Sequence, residues 1–206
     1  MHAHHHSPAL IGSLALAAGL VIAAPAAAQD ADRHAGHHET AMPTSGVRAD
    51  LLGDLDILEE KYTGLAEAMT AHYGWRPGEG VRSVSEVFVH IGAANAFIPI
   101  AANVAPPQGM EVASFEEAFA RMQEMEKRVT DPTEVMKELR AGFAHARHAI
   151  ATVSDEQLDD RVMFMGQEVP KRAILILLVT HMHEHLGQAV AYARMNAVVP
   201  PWSEGG

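Results

Sequence analysis

The sequence predicts an all-α chain, a four-helix bundle with short accessory helices. Three observations predict it. Aromatics make up only 5% of the chain, while Ala, Leu, Met and Glu are plentiful, which favours helix over sheet. Long stretches place apolar residues at spacings of three and four. Helix-start signals recur at Ser83 with Glu86, Ser114 with Glu117, and Asp131-Pro132 with Glu134. At 206 residues the chain is long enough for one domain with a full-sized core.

The N-terminal part stands apart. Leu10 to Ala24 is almost wholly apolar, and Ala26-Ala27-Ala28 offers a small-residue cleavage site before Gln29. Residues 1–28 therefore read as a signal peptide, with a periplasmic or secreted mature chain and no stable membrane association after cleavage. The histidine-rich start and the late first basic residue, Arg33, are unusual for such a peptide. The competing expectation is an uncleaved anchor over Pro8 to Ala28. Residues 29–46 are small and polar, with His34, His37 and His38, and read as a disordered, histidine-containing linker.

The bundle domain is expected over residues 47–203. A first helix is predicted from about Val47 to His72, carried by Leu51, Leu55, Leu58, Tyr62, Leu65 and Met69. Tyr73 to Gly80 is turn-rich. A second helix starts after Ser83 and runs to about Asn103, with Pro99 kinking it or ending it early. Ala105 to Gly109 breaks the chain. Ser114 caps a short helix to about Val129, and Asp131-Pro132 opens a long one to about Val153. Ser154 with Gln157 begins a short turn or helix, and Arg161 to Glu168 reads as extended or hairpin-like. Pro170 fits the first position of the last long helix, which is predicted to reach Asn196. Ala173 to Val179 is apolar on every side, which predicts a helix buried all round.

Composition narrows the function. A net charge of −11 with no long basic run argues against nucleic acid as a partner. The absence of Cys excludes thiolate ligands, a Cys nucleophile, disulfides and a lipoprotein anchor. The 14 histidines leave nitrogen or oxygen ligation as the route to a metal.

The chemistry concentrates at His181-Met182-His183-Glu184-His185-Leu186-Gly187-Gln188. His181 and His185 are four apart and project from one helical face, where both can reach one ion. Two imidazoles alone bind weakly. His90, on the apolar side of the second helix, is the candidate third ligand; three imidazoles leave open positions for water or substrate. His183 lies roughly 200° around the helix from His181 and cannot face the same ion. Gln188 could orient a ligand or a bound water, and Gly187 would let a neighbouring helix approach closely. His145 and His148 could form a second site, although an ordinary helix face explains them as well.

His181 to His185 also matches His-x-x-Glu-His, the inverted zinc-peptidase spacing in which the Glu is a general base. That reading needs a further acidic ligand well downstream, and only Glu204 remains. Glu184 is therefore expected as a partly exposed or outer-shell carboxylate.

Trp75-Arg76-Pro77, Val81-Arg82-Ser83-Val84, Glu86 to Ile91, His181-x-x-x-His185-x-Gly187-Gln188 and Val199-Pro200-Pro201-Trp202-Ser203 occur in an order that resembles the DinB-like (DinB/YfiT) superfamily. The resemblance covers roughly residues 47–203. It implies a four-helix bundle with a divalent metal held by three histidines, here His90, His181 and His185. It also implies thiol-dependent transferase or isomerase chemistry in some relatives, and no established activity in many.

The leading expectation is an exported metal-dependent enzyme, transferase-like or hydrolase-like. Its cofactor would be one divalent ion (Zn, Ni, Fe or Mn), which lowers the pKa of a bound water or thiol. Acid–base assistance would come from Glu86, Glu184 or Gln188. Its partners would be a small-molecule substrate and, in a homodimer, a second copy of the chain. The alternative is a non-catalytic periplasmic metal-binding or stress-associated protein. A third reading leaves all three histidines as structural groups in an apo bundle.

Overall fold

A computed structural model describes residues 42–203; the expectations for residues 1–28 and for most of residues 29–46 lie outside it. Five α-helices and one β-hairpin make up the described residues: α1 (Gly46–Ala68), α2 (Val84–Phe97), α3 (Phe115–Arg128), α4 (Pro132–Thr152), β1 (Arg161–Phe164), β2 (Gln167–Pro170) and α5 (Lys171–Met195). The all-α bundle is formed by α1, α2, α4 and α5. α2 packs against α3, α4 and α5, and α1 against α4 and α5.

α2, α3 and α4 begin where their cap chemistry predicts. At Ser83 the hydroxyl accepts from the Glu86 backbone N–H while the Glu86 carboxylate accepts from the Ser83 N–H at 2.7 Å. Asp131 accepts from the N–H groups of Thr133 and Glu134. Such side chains satisfy donors that the first helical turn leaves without partners. α1 stops as an α-helix at Ala68 and continues as a 3₁₀ turn over Thr70–His72. Pro99 ends α2 early, as its missing N–H requires. A 3₁₀ turn over Ile98–Ala102 follows, closed by Asn103 in the left-handed region (φ 64°).

The segment after Ser114 is a 14-residue helix ending at Arg128, within one residue of the expected end, and it forms a wall of the site described below. Two expectations change. Pro170 caps α5 from the end of β2 instead of occupying its first turn. α5 is not buried all round, because Ile176 faces solvent.

The hairpin pairs Arg161 with Pro170 and Phe164 with Gln167. Met165 and Gly166 both have positive φ at its tip, 48° and 79°, the type I′ geometry that matches strand twist. Backbone bonds from Lys171 N–H to the Asp160 carbonyl and from Arg172 N–H to the Leu158 carbonyl tie the turn before β1 to the start of α5.

The core is centred on Tyr62, Phe88 and Phe143, all fully buried. The Tyr62 ring lies 5.6 Å from that of Phe143 and 6.4 Å from that of Phe88. Its hydroxyl donates to the Met182 carbonyl at 2.6 Å, which satisfies the one polar atom it buries and fixes α5 beside the first histidine of its cluster. α2 and α4 meet at Gly92 and Gly142. A Cβ on Gly92 would lie 2.6 Å from the Glu138 carbonyl oxygen, so the crossing requires glycine. Gly187 plays no such part: a Cβ there would meet nothing within 4 Å.

Candidate metal centre

α2 contributes His90 from its buried face, and α5 contributes His181 and His185 one turn apart. These three bring ligand nitrogens within 4.8 Å of one another and form a group that could hold a metal ion. His90 Nε2 and His181 Nε2 are 3.2 Å apart. Two nitrogens sharing an ion at about 2.1 Å sit roughly 3.0–3.4 Å from each other.

The donor set also fits a divalent cation in its proton arrangement. His90 Nδ1–H donates to Glu126 Oε1 at 2.8 Å, leaving its Nε2 with a free lone pair. His185 Nδ1–H donates to Gln188 Oε1 at 2.8 Å, and the Gln188 amide donates to Tyr192 Oη at 2.9 Å. Such outer contacts fix the tautomer and raise the basicity of the ligating nitrogen. His181 lacks one, since its buried Nδ1 has no partner.

Burial, reinforced by the neighbouring His185, His90 and Arg82, pushes the His181 pKa down to about 3. Burial likewise lowers that of His185, against the Gln188 hydrogen bond. These imidazoles stay neutral near pH 7, the form that ligates. For Glu126, burial acts to raise the pKa, but the hydrogen bonds from His90 and Arg82 outweigh it and hold the carboxyl below its usual range. Arg82 grips it through two contacts, Nε to Oε2 at 2.7 Å and Nη2 to Oε1 at 3.2 Å.

Residues 54–189 match the profile of the DinB superfamily. The chain belongs to the DinB superfamily. Solved structures share this fold. A DinB-like protein from Bacillus cereus ATCC 10987 superposes with a TM-score of 0.57 at 16% identity, covering 73% of this chain and 93% of that one. A DinB-like protein, YjoA, from Bacillus subtilis gives 0.53 at 20% identity with the same coverages. No curated protein matches the chain.

The loops that carried the family resemblance brace this DinB bundle around the site. Arg76 bonds the Val81 carbonyl at 2.7 Å and the Glu86 carboxylate at 3.0 Å, and Trp75 packs edge-on against Tyr192 at 5.3 Å. Pro201 lies against Gly64, and Lys61 sits 5.7 Å above the Trp202 ring.

The remaining candidates fall outside the cluster. His183 points away, with Nε2 2.8 Å from Asp54 Oδ2 on α1. Glu184 is exposed, and Glu204 lies outside the described residues. Glu86 is engaged by Arg76 and the Ser83 cap. His145 and His148 have ring centroids 6.0 Å apart; the one three-residue ligand group among the described residues is His90, His181 and His185.

Glu126, which no sequence motif singled out, and Arg82, quoted only within a motif, adjoin the candidate site. The signal was present: Glu126 falls four after Met122 and eight after Ala118, on the inward face of α3. A carboxylate at an apolar register needs a partner.

Proposed function

We propose that this DinB-superfamily chain is an exported metalloprotein that binds one divalent ion through His90, His181 and His185. We further propose that it uses that ion in transferase-like or hydrolase-like chemistry on a small molecule. One observation carries the reading: three imidazoles converge from two helices, two of them oriented by Glu126 and Gln188, beside an open cavity. A closed structural site would need a fourth protein ligand. When bound, the ion would lower the pKa of a coordinated water or thiol. The chain's own contribution is positional. Glu126 and Gln188 hold the His90 and His185 rings, and Arg82 holds Glu126.

The full-length chain, purified without a tag, should carry about one divalent ion. A screen of thiol-transfer and ester or amide hydrolysis substrates should then show turnover that a chelator removes. Absence of metal would reject the reading.

A non-catalytic metal-binding role is the second reading. It is favoured by the cavity lining, in which, among the described residues, His90 and His181 are the only groups able to exchange protons. Deleting residues 29–46 separates the two. A binding protein that relies on its histidine-containing segment loses metal capacity, and an enzyme keeps its one tight ion.

A further inference from the structure

The histidine cluster stands between two unlike surfaces. On one side, Glu126 and Gln188 adjoin a polar cleft that also contains Arg76, Arg82 and Lys127. On the other, His90 and His181 form part of the lining of a separate cavity of about 210 Å³. Phe97, Phe115, Phe119, Met122, Phe164 and Leu177 dominate its walls, and no Lys, Arg, Asp or Glu lines it among the described residues.

Four elements build these walls, with Leu177 supplied by α5. α2 ends at Phe97, and α3 lays Phe115, Phe119 and Met122 along one side at spacings of three and four. The hairpin brings Phe164 edge-on against Phe115, with centroids 6.2 Å apart. The lining reaches the surface, with Phe115 55% exposed and Phe119 46%.

We propose that this cavity seats the ring-sized apolar body of the site's ligand, so that the substrates are small aryl or branched-alkyl compounds whose oxygen or sulfur head meets the histidine cluster. The size is appropriate, since a dry cavity of roughly 150 Å³ lined by Leu, Ile and Phe takes benzene. About 210 Å³ leaves room for a ring and a short substituent. The chemistry of the wall excludes the other classes. A buried charge without a partner is costly, and nothing on the wall would pair with an ammonium or carboxylate on the ligand body. Charge is acceptable only at the head, beside His90 and His181. The inference rests on the metal-binding reading for that head alone, because the apolar seat exists whether or not an ion is bound.

Two experiments on the full-length chain separate these points. In the first, p-cresol is titrated into metal-free protein carrying ¹³C-methyl methionine. The Met122 resonance should shift saturably, and Leu177→Trp or Ala118→Leu, which fill the cavity from opposite walls, should abolish the shift. In the second, cobalt-loaded protein is titrated with benzohydroxamate and acetohydroxamate, followed by the cobalt visible spectrum. The phenyl compound should bind on the order of thirtyfold tighter, the difference expected from burying a ring in place of a methyl. Filling the cavity should erase that preference while keeping acetohydroxamate affinity. An unmoved Met122, or equal affinities for the two hydroxamates, overturns the proposal. A response that fades as protein concentration rises gives the face to a second copy of the chain and also overturns it. Failure to form the cobalt spectrum rejects the metal reading instead, and the cresol titration still decides the cavity.

Discussion

Glu126 Oε1 lies 2.8 Å from His90 Nδ1, and the same carboxylate is held by Arg82. A residue on α3 thus sets the tautomer of a candidate ligand on α2. Removing it leaves His90 free to rotate and strands the Arg82 guanidinium beside the cluster. Glu126→Ala should weaken metal binding by about 10–100-fold and cost about 1–3 kcal/mol of stability. Chelator competition and denaturant titration read the two effects. Unchanged affinity would show that Glu126 is merely a packing residue.

The histidines of α2 and α5 should separate cleanly. His90→Ala and His185→Ala should each eliminate the bound ion, because two imidazoles do not make a tight site. His183→Ala should keep it. His183 is paired with Asp54 on an exposed surface, and such pairs contribute only about 0–1 kcal/mol. Metal content per chain for the three variants decides the matter; a His183→Ala protein without metal would redraw the ligand set.

Acid should destabilise the metal-free chain in a defined window. The His181 pKa is about 3 in the folded protein against 6.5 ordinarily, so between these values the unfolded chain binds more protons. Stability is then full above about pH 6.5 and declines as pH falls toward 3. One pKa unit corresponds to about 1.4 kcal/mol, so His181 accounts for a loss of about 2 kcal/mol between pH 6.5 and 5. Buried His145 and half-buried His185 shift in the same direction, and Glu126 adds to the loss only at more acidic pH. Thermal melts of EDTA-treated protein from pH 7.5 to 5 should show a falling midpoint, and His181→Gln should flatten the decline.

The bundle was legible because its signals are local. Ser83, Ser114 and Asp131 cap helices through atoms three residues away, and Pro99 stops α2 through its own ring. The cluster was legible in part, since the i, i+4 spacing of His181 and His185 and the apolar setting of His90 are visible along the chain. Glu126 and Arg82 were not found, because their role depends on how α3 lies across α2, and no spacing encodes that. The cavity escaped for the same reason: Phe97, Phe115, Phe119 and Phe164 come from three elements and converge only in space.

The glycines show the limit most clearly and yield the last prediction. Gly187, inside the histidine motif, was expected to admit a neighbouring helix, yet it faces open space. The close approach occurs at Gly92, where an added Cβ would lie 2.6 Å from the Glu138 carbonyl oxygen and 3.2 Å from the Leu139 nitrogen, both backbone atoms that cannot swing aside. Gly92→Ala should therefore force α2 and α4 apart and cost at least about 1–3 kcal/mol. It should also loosen His90, two residues earlier on the same helix, and lower metal affinity. Gly187→Ala should do the reverse. The site is mid-helix and exposed, so alanine should add about 0.5–1 kcal/mol by restricting the unfolded chain and favouring helix. Denaturation midpoints of the two variants, measured side by side, should move in opposite directions; a shared direction would mean that the α2–α4 crossing is not as close as described.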